Sequence, residues 1–88
     1  MVRYQPSAEA GKEALKRDHP RGYDLVRAVE YDLASDPRTR GNLIEAPNLY
    51  LQVYTPEIAP PVEIKVTYRI SSDEPPQILI TKMMAQLL

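Results

Sequence analysis

The spacing of apolar residues changes along the chain at Pro47. Before it, Leu25, Val29 and Leu33 recur at i, i+4 and i+8, with Val26 widening the stripe, which predicts an amphipathic helix over residues 23–35. A thinner apolar face of Ala8, Ala10, Ala14 and Leu15 predicts an earlier helix over residues 7–17, with Ser7 as its N-cap behind Pro6. Gly11 costs that helix about 1 kcal/mol relative to alanine, so it must lean on contacts with the rest of the fold. Asp18-His19-Pro20 separates the two helices, and Asp36-Pro37 ends the second, leaving residues 38–42 as loop. Residues 3–5 read as a short extended lead-in.

After Pro47 the period becomes two. Residues 48–55 alternate Leu49, Leu51 and Val53 with Tyr50, Gln52 and Tyr54; residues 62–70 alternate Val62, Ile64, Val66, Tyr68 and Ile70 with Glu63, Lys65, Thr67 and Arg69. Both are half-buried strands. Pairing their apolar faces sets Val53, Leu51 and Leu49 opposite Ile64, Val66 and Tyr68, and puts Tyr50 and Tyr54 diagonal to Lys65 on the polar face. A second turn around Asp73-Glu74-Pro75-Pro76 leads to residues 77–84, apolar on both faces and so expected to form a central strand covered on both sides. If Ile70 pairs with Gln77, Lys82 lies beside Lys65; a slip of one residue turns Lys82 toward the core. The expected architecture is α+β, β-α-α-β-β-β, two helices on a small antiparallel sheet.

Composition narrows the chemistry. The 88 residues, 43% hydrophobic and 26% charged, suit one domain spanning 1–88 with a small core. With no cysteine and a single histidine, His19, disulfides, thiol chemistry and a conventional structural zinc site are excluded. His19 sits in a helix-breaking step and is read as structural. Asp73 and Glu74 fall short of a metal-ligand set, and the three glycines, Gly11, Gly22 and Gly41, form no phosphate-cradling loop. No cofactor is expected. The longest strictly aliphatic run is Ile78 to Ile80, far below the length of a membrane span, and the opening residues carry no apolar leader, so a cytoplasmic protein is expected. A net charge of -1 gives no global sign of nucleic-acid binding; only a local patch would bind phosphate.

Four segments carry a resemblance. Val2-Arg3-Tyr4-Gln5-Pro6-Ser7-Ala8-Glu9 resembles the opening of the RelE/ParE-type toxins of bacterial toxin–antitoxin pairs, and Leu33-Ala34-Ser35-Asp36-Pro37-Arg38-Thr39-Arg40-Gly41 resembles the stretch after their second helix. Ile64-Lys65-Val66-Thr67-Tyr68-Arg69-Ile70 is similar to their "Y-R-V-x-Y-R-I" strand, and Ile78-Leu79-Ile80-Thr81-Lys82-Met83 to their final apolar strand. The resemblance implies a toxin-like growth inhibitor, held by a cognate antitoxin, whose target is the ribosome with its messenger RNA or else DNA gyrase; self-association is left open.

In the ribosome-dependent members a ribose 2′-hydroxyl attacks the adjacent phosphate with help from Lys, Arg and Tyr, a reaction that needs a proton acceptor and cations facing the phosphorane. Carried over, the resemblance makes Lys65, Arg69 and Tyr50 the catalytic candidates and Lys82, Tyr54, Arg38 and Arg40 the RNA-binding ones. Lys12 and Lys16 are further phosphate candidates, interspersed with Glu9 and Glu13. The plainer reading makes Lys65 and Arg69 solvent-facing charges that protect the sheet. Three departures from the family pattern bear on the choice. The chain is slightly acidic, the 56–61 loop is long and proline-rich, and Ala85-Gln86-Leu87-Leu88 replaces the basic and tyrosine residues expected after the last strand. The charge and the missing basic residues favour a gyrase-directed inhibitor, or a domain that keeps only a protein-binding surface, over a ribonuclease.

Overall fold

The computed structural model of the chain describes residues 2–37, 41–57, 59–73 and 75–88. Its elements in chain order are β1 (Val2–Tyr4), α1 (Pro6–Asp18), α2 (Pro20–Tyr23), α3 (Val26–Ser35), β2 (Asn42–Glu45), β3 (Leu49–Tyr54), β4 (Val62–Ile70) and β5 (Ile78–Leu87). The strands form one sheet in the order β1-β5-β4-β3-β2. The α+β class is as expected, but the sheet has five strands and is mixed: β1 runs parallel to β5 while every other pair is antiparallel. The additional strand, β2, is exposed at all four residues, so no burial pattern announces it in the sequence.

The N-cap of helix α1 lies two residues earlier than expected. Pro6 occupies the first turn, which makes Gln5 the N-cap and frees the Ser7 hydroxyl to donate instead to the Thr81 carbonyl at 3.0 Å. That bond pins the start of α1 to β5. The apolar face of α1 is thin, with only Ala8 and Leu15 buried, yet the helix lies close along β5 because Gly11 presents no side chain to the Met83 carbonyl. The helix expected over 23–35 is split: Gly22 is buried in α2, Asp24 and Leu25 form a turn, and α3 begins at Val26. Its Val29 and Leu33 join Ile64, Val66, Tyr68, Ile78, Ile80 and Met83 in the core. Among the described residues no charged side chain is buried, and no helix is long and apolar enough to cross a membrane.

The hairpin register differs by one residue from the expected one. Tyr54 pairs with Ile64, Gln52 with Val66 and Tyr50 with Tyr68, so Leu49, Leu51 and Val53 lie with Arg69, Thr67 and Lys65 on the side away from the helices. The tyrosines account for the choice. Tyr50 stacks on Tyr68 with ring centroids 5.6 Å apart and planes 14° from parallel, and the Tyr68 hydroxyl donates to the Pro37 carbonyl at 2.6 Å. A tyrosine ring buries more surface than Leu or Val and keeps a polar tip for such a bond.

Between β4 and β5 the register is again displaced. Ile70 pairs with Ile78 rather than Gln77, and Lys65 faces Met84 rather than Lys82. A bulge opposite Thr67 lets Thr81 and Lys82 both stay outward: Thr67 pairs with Lys82, while the Thr67 and Thr81 hydroxyls hydrogen-bond at 2.7 Å. β5 lies second in the sheet, between β1 and the central β4, and is covered on one side only. Ile78, Ile80 and Met83 are buried beneath the helices, whereas Leu79 and Thr81 are half-exposed and Met84 is exposed.

Candidate interaction face

All three helices pack on one face of the sheet, and the other face is open. Its residues follow from the ladder. One row crosses the strands as Arg3, Leu79, Arg69, Leu49 and Glu45; the next as Lys82, Thr67, Leu51 and Asn42; the third as Met84, Lys65 and Val53. The sequence candidates Lys65, Arg69 and Lys82 are therefore brought together on this face. Tyr50 and Tyr54 are not, because the register places them on the helix side, with Tyr54 beside a groove of about 230 Å³ lined by Leu25, Val29, Pro56 and Ile64. Arg38 and Arg40 lie outside the described residues.

The cations on the open face differ in their partners. Arg69 is fastened to the β2–β3 corner: it donates to the Asn48 side-chain oxygen at 3.1 Å and lies 3.8 Å from a Glu45 carboxylate oxygen. Asn48 in turn donates to the Ile70 carbonyl at 2.7 Å, so Arg69 ties the corner to β4. Lys65 lies 3.5 Å from Glu63, one pleat period back along the same strand. For Lys82 and Arg3 no carboxylate of the described residues lies within ion-pair distance. No tyrosine or histidine shares the face with them among the described residues.

A second polar place lies on the helix side, where sequence reasoning singled out only Lys12. A cleft of about 400 Å³ between α1 and α3 is lined by Lys12, Tyr23, Asp24, Val26, Arg27 and Glu30. Lys12 Nζ sits 4.5 Å above the Tyr4 ring, and Lys16 Nζ 5.6 Å above that of Tyr23. The Tyr4 hydroxyl donates to Glu30 at 2.5 Å, a contact between residues 26 apart in the chain that no local motif signals. Among the described residues no cluster of three His, Asp or Glu side chains is placed to hold a metal ion.

Two tyrosines resist ionisation. Burial, and then the neighbouring Glu30 carboxylate, holds Tyr4 far above its ordinary range; burial pushes Tyr68 up to about 12, partly offset by the Gly41 backbone N–H. Because the folded values exceed the unfolded ones, the stability linked to them is complete below pH ~10 and drains away as pH rises toward about 12. An alkaline titration read by tyrosinate absorbance should show two late-ionising groups, and Tyr68→Phe should remove one and flatten the loss of stability in that window. Complete ionisation near the ordinary value of about 10 contradicts the burial of these hydroxyls.

No family model, no curated protein and no solved structure matches this chain.

Proposed function

We propose that this domain is a toxin-like growth inhibitor of the RelE/ParE type that acts by binding a protein target, with DNA gyrase as the target the resemblance implies, rather than by cutting RNA. The observation that carries the choice is the separation of the catalytic candidates. Lys65 is paired with Glu63 and Arg69 with Glu45 and Asn48, while Tyr50 and Tyr54 lie on the opposite side of the sheet. Cleavage through a 2′-hydroxyl needs a proton acceptor and uncommitted cations facing the same phosphate. A surface of aliphatic side chains and cations, with Lys65 and Arg69 already paired and no tyrosine beside them, suits a protein better. The order of strand, helices and a final antiparallel meander supports the RelE/ParE-type reading, with β2 as an added edge strand. Under this reading the protein works in the cytoplasm beside a cognate antitoxin.

Expression of wild type and Lys65→Ala in a bacterial host tests the proposal. An exposed strand lysine contributes within about ±0.5 kcal/mol to stability, so both proteins should accumulate in soluble form. Both should arrest growth, Lys65→Ala no more than several-fold less effectively, and neither should cause messenger cleavage in the ribosomal A site. Cleavage by wild type that Lys65→Ala loses would establish the ribonuclease instead. Soluble wild type that leaves growth unchanged would leave a binding domain without toxicity.

A further inference from the structure

We propose that the open face of the sheet docks an acidic, amphipathic segment of another protein. This deepens the protein-binding reading by naming the surface and the chemistry of its partner. The starting point is the inverted alternation of β3. Its aliphatic residues Leu49, Leu51 and Val53 point to the uncovered side, and its tyrosines and Gln52 point to the helices. The half-buried tyrosines take the helix side, and the aliphatic row is thereby left on the uncovered one. Val53 is exposed and Leu49 and Leu51 are half-exposed; single aliphatics of this kind are ordinary, but these form a row, matched across β4 by half-exposed Leu79 and exposed Met84 on β5. The two rows are two strand spacings apart, roughly 10 Å, which is the width of one helix or extended segment with its side chains.

Charge selects among occupants. The face carries Arg3, Lys65, Arg69 and Lys82 against Glu45 and Glu63, in a chain whose net charge is -1, so positive charge is concentrated where the aliphatic rows are. A second copy placed face to face would set these cations against their own images. A nucleic acid strand would meet the cations but would find no aromatic ring to stack on, since Tyr50 and Tyr54 face the other way. An acidic segment with an apolar side satisfies both features: it covers the aliphatics, offers carboxylates to Lys82 and Arg3, and can compete with the half-buried Glu63 for the exposed Lys65.

The test uses the full chain and two short synthetic amphipathic peptides with identical leucines, one carrying glutamates and the other lysines on the polar side. Fluorescence anisotropy should show the glutamate peptide binding at least about tenfold more tightly. Amide shifts should fall on β3, β4 and β5 at outward positions. Val53→Ser and Lys82→Glu, both at exposed positions and checked by circular dichroism, should each weaken the glutamate peptide about tenfold, and Lys82→Glu should narrow the preference between peptides. Equal affinity for the two peptides, no binding of either, or shifts on the helices would overturn the proposal. So would a single-stranded oligoribonucleotide that binds this face more tightly than the glutamate peptide, or a dimer in sedimentation that buries it. A chain that binds the glutamate peptide yet leaves growth unchanged keeps the docking face and removes the toxin reading; growth arrest without peptide binding does the reverse.

Discussion

Replacing Gly11 by alanine should destabilise the domain by about 2–3 kcal/mol, although the substitution favours the isolated helix by about 1 kcal/mol. A β-carbon at this position would overlap the backbone carbonyl oxygen of Met83. Met83 is a backbone position of β5, paired with Val66 of β4, so its carbonyl cannot retreat as the end of a flexible side chain would. Helix α1 must therefore lift, exposing Ala8 and Leu15, its two buried contributions to the core. For a domain of this size the melting temperature should fall by roughly 10–20 °C. Gly22→Ala is the control. Its β-carbon would meet the Leu15 Cδ1 atom at 3.2 Å and Ile64 and Val62 methyls at 3.7 Å, all side-chain ends with room to adjust, so its cost should be smaller. Equal melting temperatures for wild type and Gly11→Ala would mean that α1 does not rest on β5.

Tyr68→Ala should cost about 3–5 kcal/mol, a large share of the 5–15 kcal/mol that holds a typical domain together. Tyr68 is fully buried, and its ring is sandwiched into the core beneath the helices while stacking on Tyr50. Truncation removes the ring, unstacks Tyr50 and leaves the Pro37 carbonyl without its donor. Tyr68→Phe separates these effects. It keeps the ring and loses only the hydroxyl, so it should cost about 1–3 kcal/mol, mostly from the unsatisfied carbonyl. Urea unfolding of the two variants measures both steps. A Tyr68→Phe cost as large as that of Tyr68→Ala would place the stabilisation in the hydrogen bond rather than in the ring.

How much of this was legible in the sequence varies from strand to strand. On β4 every second residue from Val62 to Ile70 is buried, and one rule identifies its inward face without ambiguity. The same rule misassigned β3, because it counted Tyr50 and Tyr54 as polar against Leu49, Leu51 and Val53. Tyrosine is both, and when each face of a strand carries large apolar surface, alternation alone cannot choose between registers one residue apart. The choice was made by partners distant in sequence, Tyr68 and Pro37. Strand β2 was invisible because none of its residues is buried. The bulge at Thr81 and Lys82 was invisible for another reason: it depends on the Ser7 and Thr67 hydroxyls, each supplied by a different element. Among the candidate site residues, the outward placement of Lys65 and Arg69 was readable from β4 alone, whereas the tyrosines inherited the error on β3.

The parallel pairing of β1 with β5 has a consequence for the order in which the molecule can assemble. Val2, Arg3 and Tyr4 find their partners in Ile78, Leu79 and Ile80, which follow every helix and every other strand in the chain. β5 is also the strand against which α1 rests and beside which β4 lies. As the chain leaves the ribosome, the helices and the β3–β4 hairpin are made before the strand that joins them. Until β5 emerges, Leu15, Val66 and Tyr68 lack the surface that covers them in the finished domain. The longest loop closure, which brings Val2–Tyr4 against Ile78–Ile80, thus comes as one late event, and from its topology this small domain is a slow and cooperative folder rather than one that builds up piece by piece.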